Sequence, residues 1–547
     1  MSVRWLVCAA VSLGLLAAGP EASRAQSAAS ADAMRAQSLI VGLDFDDARR
    51  VLAVTDSEDS AVALERARLA IYELDCDGAA AILARPELQK TDAGEQLADI
   101  ARGCQRVTAA LVADKDDAMA IEVRWQDEHD RALAPMLFDT VARARDALTR
   151  DLGVDWPRPT RIVVVRDLLS LSAMTGLPYK SAQTTGTVAV AKWGRVTLLS
   201  PRASLHGYPW RDTVAHELTH LAVTRASRDR APLWLQEGIA KREETRWREP
   251  GPFDDRPAPD AVVQRGTELG LAIPLDKLGP SIAMLPSADA AMVAFAEVTS
   301  FVRFYAQNAG DQALPKLLGQ LRNETGDKEE DPLAVASGVD RKTWDERWRA
   351  YIGARPREQV PELLGLGAEP RLSTHGDPSA ASRMRDLRDR TRLAELLLSR
   401  DSSYAGAALA ELDRIGAPGG LPRPVPQTPS ATETAAWERA MGDPSVRWLR
   451  ARALEAAGRR EQGEPLVADP HQVVTSFGPW WATRGRFARM RGDEPRAVES
   501  FLEAIGADPF DPESACETID PQAPAPDVKS RLCEAARSRG EPPFGAD

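Results

Sequence analysis

Apolar residues recur at helical spacing through Asp212–Val223, a stretch without Pro or Gly in which Asp212 is placed to cap a helix. A second helix is expected from Pro232, a residue favoured in the first helical turn, after the polar turn Ser227–Arg230. Ahead of this pair, strand and helix patterns alternate. Met119–Trp125 reads as a first strand, and Leu133–Leu152 is periodic through Leu137, Val141, Ala144 and Leu148. Arg161–Arg166 is a β-branched run preceded by Pro157 and Pro159 and predicts a strand. Thr187–Ala191 and Arg195–Leu199, separated by Lys192-Trp193-Gly194, predict a hairpin or a bulged edge strand. Downstream, Ala290–Asn308 carries Met292, Phe295, Ala296, Phe301, Val302 and Tyr305, dense enough for a helix buried on more than one side. Trp344, Trp348 and Tyr351 recur at helical spacing and read as a packed stripe rather than a substrate pocket. The order predicts an α+β fold in which a small mixed sheet feeds a central helix and a helical lower lobe follows.

Both flanks read as helical. Residues 34–110 hold small-residue hairpins around Phe45–Leu52 and Ala67–Leu83, and Leu393–Ile415 gives another helix pair. From Gly478, the residues Trp481, Gly485, Gly492, Ala497, Phe501, Ala504 and Pro509 resemble a tetratricopeptide repeat, and Gly458 lies 34 residues before Gly492. Such repeats stack because no unit buries its apolar face alone. They present a surface to a protein partner or serve as rigid walls against the central domain, and the sequence leaves both open. The Pro-rich run Gly416–Thr434 is a linker or loop. The expected organisation is a signal peptide over 1–25, a helical repeat-like domain over 26–116, and the α+β domain over 117–355. A linker over 356–384, helical repeats over 385–521 and a poorly ordered tail over 522–547 complete it. Residues 26–116 are read as a permanent domain in preference to a propeptide.

Composition narrows the class. With 547 residues, 44% hydrophobic and 27% charged, the chain can bury several cores. A formal charge of -12, from 81 acidic and 69 basic residues, argues against nucleic acid as a partner. Arg4, the apolar run Trp5–Ala18 and Ser23-Arg24-Ala25 have the layout of a cleavable export signal. Fourteen apolar residues fall short of the ~20 that a stable membrane span requires. The protein is therefore expected to be exported, periplasmic or secreted. Four cysteines remain beyond Cys8, and the expected bridges are Cys76–Cys104 and Cys516–Cys533, with buried free thiols as the alternative.

The chemistry concentrates in His216-Glu217-Leu218-Thr219-His220 and in Glu237, sixteen residues beyond His220. Residues four apart on a helix share a face, so His216 and His220 can present their imidazoles to one ion. Glu217 sits one step round the helix, outside the ligand set but within reach of water at the ion. Two imidazoles and a carboxylate leave Zn2+ a net positive charge and an open position.

The segments His216–Leu221 and Pro232–Ala240 resemble the gluzincin metallopeptidases, specifically the bacterial peptidase MA-like group, over roughly residues 117 to 355. The resemblance implies His216, His220 and Glu237 as zinc ligands and Glu217 as the catalytic base. It also implies that the last strand before the metal helix pairs with extended substrate, an ordinary covered sheet edge being the alternative. The thermolysin-like branch carries an Asp four residues after its ligand Glu to orient an imidazole. This chain has Lys241 there, which leaves that role unassigned. An oxyanion donor is likewise unassigned, with His206, Tyr208, Arg303 and Tyr305 as candidates by residue type. Two functions follow: an exported zinc metallopeptidase acting on peptide or protein substrates, or an inactive peptidase-like scaffold whose repeats bind proteins or peptides. The retained Glu217 favours the enzyme.

Overall fold

In the computed structural model the described residues are 20–55, 58–250, 254–255, 257–278, 281–323, 331–358, 360, 378–415, 442–468, 477–517 and 526–537. The chain divides into two compact units, residues 1–101 and 102–547, within helix α5 (Asp92–Thr108). The first unit holds α1 (Pro20–Val41), α2 (Phe45–Val54), α3 (Ser60–Tyr72) and α4 (Cys76–Leu83). Asp59 and Asp75 accept backbone N–H groups at the starts of α3 and α4. Ile40, Ala48, Val62, Ala67 and Ile71 form a core with no exposure. Most of the expected signal peptide, residues 1–19, lies outside the described residues.

In the second unit a five-stranded sheet runs in the order β1-β2-β3-β5-β4, from β1 (Val112–Asp116), β2 (Ile121–Trp125), β3 (Thr160–Val165), β4 (Ala189–Lys192) and β5 (Arg195–Leu199). The three central strands β2, β3 and β5 are parallel, and the two edges β1 and β4 are antiparallel to their neighbours. Every residue of β5 is buried, as are five of the six in β3, consistent with apolar runs covered on both faces. Helix α6 (Ala134–Leu152) crosses from β2 to β3, and α7 (Leu168–Thr175) and α8 (Tyr179–Thr185) lead from β3 to β4. Trp193-Gly194, both at positive φ, link β4 to β5 as a two-residue hairpin turn.

The first strand needs correction. The segment expected to be helical up to residue 116 ends in β1, which pairs with β2. Val-Ala-Asp-Lys-Asp has no apolar alternation because no residue of this edge is buried and its half-buried side carries Asp114 and Asp116 beside Val112.

The central helix is α9 (Trp210–Ser227), and α10 (Leu233–Glu243) follows it. Helix α9 packs on α6, β4, β5 and α10 and is buried nearly all round. The lower lobe contains α11 (Pro259–Glu268), α12 (Ala288–Ala309), α13 (Ala313–Asn323), α14 (Pro332–Ser337) and α15 (Arg341–Ala354). Phe301 of α12 lies between Trp234 and Trp348, with ring centroids 5.3 and 5.7 Å away. Trp344 and Trp348 are buried and belong to this core.

Helices α16 (Pro378–Arg400), α17 (Ala405–Asp413), α18 (Pro444–Ala456), α19 (Arg460–Gly463), α20 (Gly478–Met490) and α21 (Glu494–Ala507) form the C-terminal helical region. The proline-rich run 416–434 and residues 361–377 of the expected linker lie outside the described residues. Inside the segment expected to be a poorly ordered tail, Pro526–Arg537 forms a helix, α23, following α22 (Pro512–Glu517). Cys516 and Cys533 are disulfide-bonded, which ties α22 to α23, and Leu532, Ala535 and Ala536 are buried. Among the described residues no helix is long and apolar enough to cross a membrane.

Candidate metal centre

Helix α9 begins three residues earlier than a cap at Asp212 would set it. Pro209 is the N-cap, and Asp212 sits in the first turn, where its carboxylate accepts from Trp247 Nε1 and Arg248. That contact fastens the chain after α10 back onto α9. Pro232 is likewise the N-cap of α10 rather than part of its first turn. Gly238 permits the close approach of α10 to α12. A Cβ there would lie 2.3 Å from Val302 Cγ2 and 2.6 Å from the Val298 carbonyl oxygen.

His216, His220 and Glu237 converge from these two helices. The two imidazole Nε2 atoms are 3.2 Å apart, and each lies 3.4 Å from Glu237 Oε2. Metal–ligand bonds of about 2.0–2.2 Å at tetrahedral angles separate neighbouring ligand atoms by about 3.3–3.6 Å. The nearly equilateral triangle of two nitrogens and one oxygen therefore fits the face of a tetrahedral metal site. Burial pulls the His216 imidazole down, but hydrogen bonds to Glu237 and Glu244 outweigh it and lift the pKa to about 10. Burial pushes Glu237 up, and the imidazoles of His220 and His216 hold it well below the carboxylate range.

Lys241 does not orient an imidazole, but Glu244 does. His216 Nδ1 lies 3.2 Å from Glu244 Oε2, while the other carboxylate oxygen of Glu244 takes Lys241 Nζ. Burial opposes ionisation of Glu244, and the Lys241 ammonium and His216 bring its pKa down to about 2. With Nδ1–H donated to a carboxylate, Nε2 of His216 is the nitrogen that would give its lone pair to an ion once its own proton is lost. Glu244 stands seven residues after Glu237, two helical turns on. That spacing is the signal by which the sequence could have revealed it.

Glu217 is 7% exposed and faces the edge strand, where it accepts the backbone N–H of Ala191 in β4. Burial raises its pKa, the charges of His220 and His216 lower it, and Glu237 adds to the rise. A carboxyl shifted toward neutrality can take a proton and give it back.

Of the four oxyanion candidates, Tyr208 is the one whose hydroxyl feels the charge of Glu217. Its hydroxyl donates to the Leu199 carbonyl, and burial together with the charges of Asp130 and Glu217 raises its pKa. Arg303 forms a bidentate pair with Asp255, and Tyr305 packs its ring 5.1 Å from Trp344. His206 points to the C-terminal helical region, with Trp448 and Phe477 at 5.5 and 5.1 Å and Glu395 Oε1 at 3.7 Å.

Against known proteins, the chain matches no curated protein and no solved structure. Residues 143–354, from the middle of α6 to the end of α15, match the Peptidase MA superfamily, and this match supports a zincin-like peptidase domain in that stretch.

Proposed function

We propose that this protein is an exported zinc-dependent peptidase of gluzincin type that cleaves peptide or protein substrates, with His216, His220 and Glu237 as the zinc ligands. The observation that carries the reading is the ligand triangle, whose 3.2–3.4 Å edges suit tetrahedral Zn2+. When bound, zinc would supply Lewis acidity toward the scissile carbonyl and make water at the site more acidic.

The chain's own groups supply the rest. Glu217 accepts the proton of the attacking water and passes it to the leaving amine, its carboxyl steered by the Ala191 N–H. Glu244 fixes the tautomer of His216. Strand β4 is a sheet edge beside α9, and its outward backbone groups are suited to pair with an extended peptide. The Cys516–Cys533 bridge is in keeping with an oxidising, extracytoplasmic compartment.

The test combines metal analysis with casein hydrolysis on the wild type, a His216→Ala, His220→Ala double variant and Glu217→Gln. The reading requires one zinc per chain, absent from the double variant, and hydrolysis abolished in Glu217→Gln while zinc stays. Absence of zinc from all three would sink it, and zinc without hydrolysis of any peptide would favour the non-catalytic scaffold.

A further inference from the structure

Beside the metal centre lies a cavity of about 640 Å³, within the ~300–1,000 Å³ range of ligand-binding pockets. It shares two walls with the centre. Phe295 has its ring centroid 6.2 Å from that of His216, and Glu244 is the partner of His216 Nδ1. Asp212, also in the wall, precedes His216 by one helical turn.

The far wall comes from outside the stretch that matches the peptidase superfamily. Leu502 and Glu503 of α21 line the cavity. Gly207, in the loop before α9, holds this wall in place. At φ +68, a Cβ there would lie 2.2 Å from the Ala507 carbonyl oxygen at the end of α21. The helix is thus docked, backbone to backbone, on the loop that leads into the metal helix.

The lining has a definite chemistry. Its cations are committed to carboxylates: Arg248 to Asp212 and Asp254, Arg303 to Asp255, Lys241 to Glu244, and Arg211 to Asp139. Among the described residues Glu503 makes no hydrogen bond or ion pair, although it feels Arg248 at longer range. Burial and the charges of Asp254, Glu499 and Asp212 raise its pKa to about 7 against the pull of Arg248. An added cation relieves that strain, whereas an added anion meets an acidic wall. Apolar surface from Met292, Phe295 and Leu502 lies in the same cavity and suits an aliphatic stem.

We infer that Glu503 is a specificity-determining residue for the proposed peptidase, selecting substrates that carry a lysine or arginine side chain close to the scissile bond. The inference rests on the peptidase reading, because it assigns the cavity to the same substrate.

The experiment uses the zinc-loaded full chain at pH 8, where Glu503 is mostly ionised. Peptides differing only by lysine, norleucine or glutamate, scanned over two positions on each side of the cleaved bond, give the preference as a ratio of kcat/KM. The wild type is expected to prefer lysine about tenfold or more at one position, with Glu503→Gln losing most of that preference, Glu503→Asp keeping part of it and Glu503→Lys turning it toward glutamate. No preference in the wild type, or the same preference in Glu503→Gln, overturns the inference. Binding of the lysine and norleucine peptides to the Glu217→Gln protein separates the two readings. Glu503-dependent binding of the lysine peptide without hydrolysis by the wild type would sink the peptidase and keep the cavity assignment. Equal binding of both peptides would remove the cavity assignment whatever the hydrolysis shows.

Discussion

Removing the carboxylate of Glu244 should weaken metal binding without touching a metal ligand. In Glu244→Ala, His216 Nδ1 loses its partner at 3.2 Å, the ring is free to rotate, and the opposite tautomer becomes accessible. Outer partners of metal-bound imidazoles are typically worth about 10–100-fold in affinity, or about 1.4–2.8 kcal/mol. The upper part of that range is expected here, because the carboxylate is ionised with a pKa of about 2 and its side chain is only 21% exposed. Glu244→Gln keeps an acceptor for Nδ1–H but gives up the charge, and should lie near the tenfold end. Helix α10 is not at issue, since Glu244 is its C-cap and contributes through its backbone N–H to Ala240. Zinc affinity measured by competition with a chelating dye, beside melting curves of the metal-free proteins, separates ligand orientation from damage to the fold. A Glu244→Ala protein that binds zinc within twofold of the wild type would refute the reasoning, and the orienting role would have to be withdrawn.

Zinc binding should release about one proton near pH 8, because the metal-free protein holds His216 protonated up to about pH 10. The sign follows from a raised pKa: its contribution to the stability of the metal-free fold is complete below pH 6.5 and disappears as pH rises toward 10, while apparent zinc affinity climbs over the same window. Calorimetry in buffers of different ionisation enthalpy measures the proton, and an affinity that levels off at pH 7 would contradict the pairing of His216 with Glu237 and Glu244. Gly207→Ala combines a left-handed backbone with a Cβ 2.2 Å from a carbonyl oxygen, and should cost about 2–4 kcal/mol and lower the melting temperature by several degrees. An unchanged melting temperature would mean that α21 does not pack on the loop before α9.

The convergence of His216, His220 and Glu237 was legible because a four-residue spacing and one intervening turn leave little choice of geometry. The span of α6 and the hairpin of β4 and β5 were legible for a similar reason: apolar period and turn residues agree over each whole element. What escaped has weak or distant local signals. β1 is a charged, half-exposed edge. α7 and α8 have eight and seven residues, too few to establish a period. Asp212 looked like a cap because Asp is a good one, yet its carboxylate is taken up by Arg248, thirty-six residues on. Glu244 was hidden behind Lys241, the residue at the position where a partner for the imidazole was sought. The lysine supports that partner instead of replacing it.

The same argument bears on the C-terminal helical region. Its sequence pattern tells only that helices pair, since an apolar face must be covered by something and the pattern does not say by what. The structure places specific residues on specific neighbours. His206 sits among Trp448, Phe477 and Glu395, the Arg202 guanidinium lies 5.8 Å from the Phe510 ring, and Gly207 abuts the end of α21. All three contacts fall on the short loop between β5 and α9, the segment that sets where the metal helix begins. A peptidase domain cut off near residue 355 would leave that loop without its packing partners and the cavity without its α21 wall. The C-terminal helices therefore brace the loop that leads into α9 and supply part of the cavity wall.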